Sequence, residues 1–182
     1  MAGYRLLERV SPEELKRCVD ALAGRINRDY EGKNLVLVGV LNGAFIFMAD
    51  LVRRIEFPVK VDFVRLSSYG DKTETSGKVR ITKDVELALQ GCDVLVVEDI
   101  IDSGLTLKWL LNHISNLGAE SVKICALVDK RERREVEISA DYVGLTVERG
   151  FLVGYGLDFS ENYRNLPGIN EVCFNDPVPA SD

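Results

Sequence analysis

The sequence predicts an α/β fold with a mostly parallel central sheet flanked by helices, followed by a small C-terminal lobe. Three largely apolar runs of strand length, residues 35–41, 92–98 and 122–129, predict strands buried on both faces. Helical patterns and short connections separate them, as is typical of parallel strands joined by crossovers. Residues 151–159 are rich in glycine and aromatic side chains, and three prolines follow, which favours an appended lobe over another crossover.

The N-terminal part of the chain begins with a helix and then a strand, turn and helix unit. Ser11 can accept a hydrogen bond from the amide three residues on while Glu14 bonds back to it, which marks a helix start. Gly32 ends that helix. The run 35–41 has the length of one strand, and apolar side chains at helical spacing predict a second helix over residues 44–55.

The middle of the chain repeats this pattern. Residues 59–66 alternate and are rich in β-branched side chains, which predicts a strand leading into the polar stretch 67–78. That stretch contains two glycines and almost no apolar side chains, so we expect a mobile loop. A strand over 92–98, a turn and a helix over 105–117 come next, and 122–129 is the third buried strand.

Composition disfavours several classes of protein. The 182 residues carry 23 basic and 29 acidic side chains, and the net charge of −6 argues against a nucleic-acid coat or a membrane-surface role. No run approaches the roughly 18 apolar residues that span a bilayer. The N-terminal segment lacks the apolar core of a signal peptide, so we expect a cytoplasmic protein. The four cysteines are far apart and there is one histidine, so zinc is not expected.

The sharpest feature is VLVVEDIIDSGLTL, residues 94–107, in which a buried strand runs into three carboxylates and then a helix. Amides and hydroxyls of residues 102–106 can bind a phosphate at the helix start, and Gly104 permits close approach of the backbone. Glu98 and Asp99 can hold sugar hydroxyls or a magnesium ion, because hard cations prefer carboxylate oxygen. The pattern predicts a sugar phosphate lying across a strand end.

A simpler interpretation is that Asp99 and Asp102 are helix-capping acids, which the amides and the helix dipole favour at such a position. This explains Asp102 and Ser103, but it does not explain an adjacent Glu-Asp pair at the mouth of an otherwise apolar strand. A nucleoside-triphosphate loop is not indicated, because the GxxxxGK[ST] pattern is absent.

The segment resembles the 5-phosphoribosyl-1-pyrophosphate binding motif of the type I phosphoribosyltransferases, and the chain resembles their bacterial hypoxanthine-guanine branch. The resemblance runs from LVGVLNGAFIFMADL through SSYG, VEDIIDSGLTL and LVDKRERR to FLVGYGLDFSENYRNLP. It implies one domain over 1–182, with a core of about 11–149 and a hood of about 150–182 plus the N-terminal residues. It also implies a homodimer or homotetramer.

The resemblance implies purine salvage. The enzyme would transfer the phosphoribosyl group from 5-phosphoribosyl-1-pyrophosphate to N9 of hypoxanthine or guanine, with Mg²⁺ as cofactor. IMP or GMP and pyrophosphate would be the products. We expect these small molecules, and neither nucleic acid nor membrane, as partners.

For the phosphoribose, the resemblance implies that Glu98 and Asp99 contact ribose hydroxyls and magnesium, and that Asp102 is the general base near purine N7. An aspartate at a helix start should stay anionic, so we expect part of its effect to be stabilisation of positive charge on purine and sugar. The phosphoribose set is Glu98, Asp99, Asp102, Ser103, Gly104, Leu105 and Thr106.

For the purine, Lys130 matches the lysine that donates to the exocyclic oxygen and so selects oxopurines over adenine. The alternative is a solvated member of the charged run 130–134, although its position at a strand's carboxyl end favours the site. Phe151 matches the stacking aromatic and Leu152 supplies backbone contacts, while Asp158 lies near the amino edge and a second magnesium. Phe151 could equally be core, and Asp158 could be a turn acid.

For the pyrophosphate, Leu41, Asn42 and Gly43 match a loop whose first peptide bond is cis in the family, and Arg164 matches a pyrophosphate-binding arginine. Asn42 stands where many relatives have lysine or arginine, so a side-chain cation is lost there.

Ser68 and Tyr69 begin the polar stretch that matches the family's flexible loop, which closes over the reaction centre and excludes water. The alternative, an ordinary surface loop, predicts that trimming it leaves turnover intact.

Two rival functions remain at this point. A regulator that keeps this fold but binds RNA is disfavoured by the net charge and by the lack of a basic-aromatic stripe. A related salvage enzyme preferring adenine or xanthine would share the phosphate loop. Lys130 argues against adenine, whereas xanthine stays open because hypoxanthine, guanine and xanthine differ only at ring position 2.

Overall fold

The structure is a computed structural model and describes residues 3–68 and 79–174. These residues form nine strands and three helices. In chain order they are β1 (Tyr4–Val10), α1 (Pro12–Tyr30), β2 (Leu35–Leu41), α2 (Phe45–Val52), β3 (Lys60–Ser68), β4 (Val79–Lys83), β5 (Asp93–Ile101), α3 (Leu105–Asn116), β6 (Ser121–Lys130), β7 (Tyr142–Val147), β8 (Leu152–Val153) and β9 (Ile169–Phe174).

The main sheet has six strands in the order β4-β3-β2-β5-β6-β7. Neighbouring strands run parallel except for β4, which pairs antiparallel with β3 at one edge. Alternate side chains of β2 and β5 face opposite sides, so that α1 and α2 pack on one face and α3 on the other. The predicted mostly parallel sheet with flanking helices is confirmed.

A small antiparallel sheet, β1-β9-β8, forms the hood lobe of the predicted fold, and it joins both ends of the described chain. We call this sheet, together with the turns between β8 and β9, the hood. It lies beside the core cluster of α1, because Ile169 and Leu152 are buried in that cluster.

Local signals place most elements correctly. The capping box at α1 is present, with the Ser11 amide donating to Glu14 at 2.8 Å and the Glu14 amide donating to Ser11 Oγ at 3.3 Å. The second helix ends at Val52, earlier than predicted, and the side chains of Arg53 and Arg54 donate to carbonyls of its last turn. None of the helices in the described ranges is long and apolar enough to cross a membrane.

Candidate active site

The predicted site lies at the carboxyl edge of the main sheet, where β2, β5 and β6 end side by side. Ligands bind beyond this edge in open parallel sheets. The register pairs Ile101 of β5 with Asp129 of β6, so the residues that come next, Asp102 and Lys130, are neighbours. Lys130 Nζ lies 3.5 Å from Asp102 Oδ2.

The strand β5 is longer than predicted, and this corrects the position of the acidic pair. Glu98 and Asp99 belong to the strand and not to a strand end followed by a turn, because pairing with β6 continues to Ile101. The turn therefore begins only at Asp102. Glu98 Oε1 accepts a hydrogen bond from the Asp99 amide at 3.2 Å, which keeps the two acids together.

The two carboxylates of the acidic pair, Glu98 and Asp99, disfavour each other's negative charge. Burial raises the pKa of the Glu98 carboxyl well above its usual range, and the charge of the neighbouring Asp99 raises it further. The pair therefore favours a bound proton or a cation over two bare negative charges.

The loop after β2 lies directly against this pair. The Leu41–Asn42 peptide bond is cis, as the family resemblance implied. A Cβ built on Gly43 would overlap the Asp99 carboxylate, and one built on Gly156 in the hood would overlap the Gly43 carbonyl oxygen. Glycine at both positions lets the acidic pair, the loop and the hood come into backbone contact. Asn42 is exposed beside them.

The turn between β5 and α3 has the form expected for binding an anion. Gly104 precedes the helix in the left-handed conformation, with φ of +83°, and receives no side-chain cap. Ser103 Oγ accepts from the Leu105 amide at 3.4 Å. The interpretation of Asp99 and Asp102 as capping acids is thus wrong. The reason is geometric, since Asp99 lies within β5 and bonds to the Ile100 amide instead.

Lys130 is buried, in contrast to the three residues after it. Its side chain is 7% exposed, whereas Arg131, Glu132 and Arg133 are exposed. The interpretation of Lys130 as a solvated member of the charged run is therefore wrong. Asp102 Oδ1 is buried and accepts no hydrogen bond from any described residue. The side chain as a whole is 36% exposed, so its exposed surface belongs to its other atoms.

Phe151 directly precedes β8, at the start of the C-terminal part of the hood. Its side chain is 40% exposed and its ring centroid is 5.3 Å from that of Phe159, so it is not a core residue. Leu152 is buried next to it. Glu132 connects this segment to Lys130, because its Oε2 accepts from the Gly150 amide at 3.2 Å and lies 3.7 Å from Lys130 Nζ.

Asp158 and Arg164 form a unit within the hood. Asp158 Oδ1 lies 3.0 Å from Arg164 Nη2, and its Oδ2 accepts from the Glu161 amide at 2.8 Å, as in a turn acid. Arg164 Nη1 also donates to the Gly156 carbonyl at 2.8 Å, which ties it to the turn that contacts Gly43. In the described ranges Asp158, Glu98 and Asp99 do not form a cluster of three potential metal ligands.

The predicted flexible loop is only partly covered. Ser68 is the last residue of β3, while Tyr69 and the stretch to residue 78 lie outside the described residues. Closure of this loop stays a prediction.

Sequence reasoning missed Arg134 and Glu132. Both come from the charged run after β6, and a run of charges gives no signal as to which member contacts the residues of the site. Only a regular alternation of polar and apolar residues in this run would have indicated which side chains point towards the protein.

The comparisons with known proteins agree with this geometry. Residues 6–160 match the family model described as phosphoribosyl transferase domain. The hypoxanthine-guanine phosphoribosyltransferase of Streptococcus pneumoniae strain R6 is 48% identical over 160 residues, which cover 88% of this chain and 89% of that protein.

Two further similarities extend this result. The bifunctional protein TilS/HprT of Listeria monocytogenes strain F2365 is 49% identical over 88% of this chain, which spans about a quarter of that relative, 25% of its length. The crystal structure of a hypoxanthine-guanine phosphoribosyltransferase from Bacillus anthracis superposes with a TM-score of 0.87 at 46% identity, covering 93% of this chain and 99% of that one.

Proposed function

The chain belongs to the phosphoribosyltransferase family, in its hypoxanthine-guanine branch, and we propose that it transfers the phosphoribosyl group from 5-phosphoribosyl-1-pyrophosphate to N9 of hypoxanthine or guanine. The products are IMP or GMP and pyrophosphate, which makes this a purine salvage reaction.

The observation that carries the proposal is the pair formed by Asp102 and Lys130. The Asp102 carboxylate, whose side chain is 36% exposed, and the buried Lys130 ammonium lie side by side, with 3.5 Å between Oδ2 and Nζ. An oxopurine offers an N–H to the first and a carbonyl oxygen to the second. Adenine carries an amino group at the position of that carbonyl, and a buried ammonium has no acceptor for it.

The remaining roles follow from where each group lies. The turn of Ser103, Gly104, Leu105 and Thr106 binds the 5-phosphate at the start of α3, because amides at a helix start attract anions. Asp102 takes the N7 proton or stabilises it electrostatically as N9 attacks the anomeric carbon. Phe151 stacks on the base, and Leu152 contacts it through the backbone.

The pyrophosphate is held between the loop and the hood. In this proposal the backbone amides of Asn42 and Gly43 bind it, because the loop carries no cationic side chain. Arg164 supplies a cation from the hood, since its contacts with Asp158, Glu161 and Gly156 leave guanidinium donors for the ligand. Asp158 then acts mainly by orienting Arg164.

The acidic pair fits magnesium. Magnesium is usually held by one or two carboxylates plus substrate phosphate oxygens and water, and Glu98 with Asp99 provides such a pair. The raised pKa of Glu98 reflects a site that a cation would stabilise. When bound, the metal would neutralise charge on the departing pyrophosphate. Asp158 would be the ligand of a second magnesium through carboxylate lone pairs that Arg164 and the Glu161 amide do not use.

We further propose a cytoplasmic homodimer or homotetramer. All four cysteines are free thiols, as is usual in a reducing compartment.

A turnover assay with four bases tests the proposal. Purified chain is incubated with 5-phosphoribosyl-1-pyrophosphate and hypoxanthine, guanine, xanthine or adenine, with magnesium or with a chelator. We expect hypoxanthine and guanine to exceed adenine by roughly a thousandfold or more, because a site built for one hydrogen-bond pattern rejects the other. Activity should vanish with chelator. Preference for adenine would overturn the base assignment, and RNA binding without any turnover would favour the regulator.

A further inference from the structure

Arg134 lies in the segment after β6, which folds back toward the turn between β5 and α3. The Glu135 amide donates to the Ser103 carbonyl at 3.0 Å, and the Arg134 amide donates to the Arg131 carbonyl at 3.1 Å. This fold-back brings the Arg134 side chain, 19% exposed, between the ends of the two strands.

The guanidinium of Arg134 bonds to both strand ends at once. Its contacts to carbonyls are from Nε to Asp102 at 3.0 Å, from Nη1 to Ile138 at 2.7 Å, and from Nη2 to Ile101 at 3.3 Å and to Lys130 at 3.1 Å. Nη2 also forms an ion pair with the Asp129 carboxylate.

These contacts serve the backbone of the two residues whose side chains form the proposed reaction centre. All three guanidinium nitrogens are used, and none of the contacts is to a side chain that faces the substrates. A lysine has one nitrogen and no planar fork, so it cannot reproduce this set.

We propose that Arg134 is a positioning residue that fixes the spacing between the Asp102 carboxylate and the Lys130 ammonium. This rests on the proposed function, because that spacing matters only if the two side chains hold neighbouring groups, N7 and the 6-carbonyl oxygen, on one edge of the purine. Arg134 then governs how accurately N9 meets the anomeric carbon without itself touching either substrate.

The expected signature is a loss in kcat without a matching loss in binding. A misplacement of about 1 Å lowers turnover by roughly a hundredfold, so we expect Arg134→Lys to reduce kcat to that extent. The KM for 5-phosphoribosyl-1-pyrophosphate should change by less than about threefold, because the Glu135 amide still donates to the Ser103 carbonyl and keeps the phosphate turn in place.

The experiment compares Arg134→Lys with Arg133→Lys, an exposed neighbour in the same run. Circular dichroism, melting temperature and the stoichiometry of IMP binding by calorimetry show whether each variant is folded and fully active-site competent. Equal stoichiometry with a large fall in kcat only for Arg134→Lys supports the proposal. Wild-type kcat in a folded Arg134→Lys overturns it, as does a fall in kcat fully explained by fewer binding sites.

Chemical rescue keeps the test decisive should Arg134→Lys fold poorly. Arg134→Ala is assayed with guanidinium, below concentrations that affect the wild type, and with urea as the neutral control of similar shape. We expect guanidinium alone to restore a measurable part of kcat, since it can reoccupy the gap beside Asp129. Equal effects of both additives overturn the proposal. A wild type that does not act on hypoxanthine or guanine contradicts the proposed function instead.

Discussion

Replacing Gly43 by alanine introduces one methyl group where the loop, the acidic pair and the hood meet. The new Cβ would overlap the Asp99 carboxylate, well inside the 3.0 Å that Cβ atoms keep from other heavy atoms. Loop and carboxylate must therefore separate by about 1 Å or more, a displacement that lowers turnover by roughly a hundredfold. Asp99 cannot turn away freely, because its Oδ1 accepts from the Ile100 amide at 3.0 Å.

We expect Gly43→Ala to lower kcat/KM for 5-phosphoribosyl-1-pyrophosphate by about a hundredfold, which corresponds to about 2.7 kcal/mol of transition-state stabilisation. Stability should fall by no more than about 1–3 kcal/mol, the usual range for one extra methyl group in a packed region. Gly43 is not among the residues with positive φ, so alanine adds no backbone strain. Initial rates over a range of cosubstrate concentration measure the first quantity, and urea unfolding measures the second.

Gly24→Ala is the matched control. A Cβ at Gly24, within α1, meets nothing closer than Arg28 Nη1 at 3.9 Å. Alanine there should leave kinetics unchanged and stabilise the helix by about 0.5–1 kcal/mol. A wild-type kcat/KM in Gly43→Ala would refute the idea that turnover requires the close approach of this loop to Asp99.

Three further predictions concern single side chains. Asp102→Asn should lower kcat by about a hundredfold or more with little change in cosubstrate KM, measured by initial rates. Lys130→Met should raise the KM for hypoxanthine by about 10–100-fold, the equivalent of one hydrogen bond to a charged group, and an equal loss for all ligands would indicate misfolding instead. Asp62→Asn should destabilise the chain at pH 7 by roughly 2–3 kcal/mol, measured by urea unfolding, with the difference from wild type disappearing in acid.

The acid dependence of Asp62 arises from its surroundings. Burial by itself raises the pKa of this carboxyl, but hydrogen bonds from the amides of Leu87, Phe63 and Glu86 and from Lys83 outweigh burial and hold it below the usual value. A depressed pKa stabilises the fold above the unfolded value of about 3.9, and this contribution disappears as pH falls through the folded pKa. A stability gap that does not shrink as the pH falls below the unfolded value of about 3.9 would contradict this assignment.

Sequence patterns predicted the central strands well because their signal is local. β2 is apolar along its whole length, since both faces are covered by helices, and it has the predicted bounds. By contrast β7, at the sheet edge, is only half-buried and was not predicted. β1 was not predicted as a strand either, because its partner β9 lies at the far end of the described chain and no local pattern specifies such a pairing.

The same distinction applies to the site. The proposed phosphoribose segment, residues 98–106, could be identified because a phosphate-binding turn is contiguous in sequence, and the family resemblance depends on that contiguity. Lys130 and Arg134 look alike in sequence, yet one is buried beside Asp102 and the other bonds to carbonyls of both strand ends. Their difference arises from the fold-back after β6, which is a tertiary arrangement.

The hood residues were the hardest to place in the site from the sequence alone, because the hood reaches the site through backbone contacts. Gly156 packs on the Gly43 carbonyl, and Arg164 donates to the Gly156 carbonyl, so the hood reaches the acidic edge of the sheet through main-chain atoms. Such contacts require only that certain side chains be absent, and an absent side chain leaves little signal in composition or periodicity. Because Gly43 also lies against the Asp99 carboxylate, this one residue links the hood to the acidic pair. The position of the hood is therefore part of the geometry of the site, although its own strands carry few of the reacting groups.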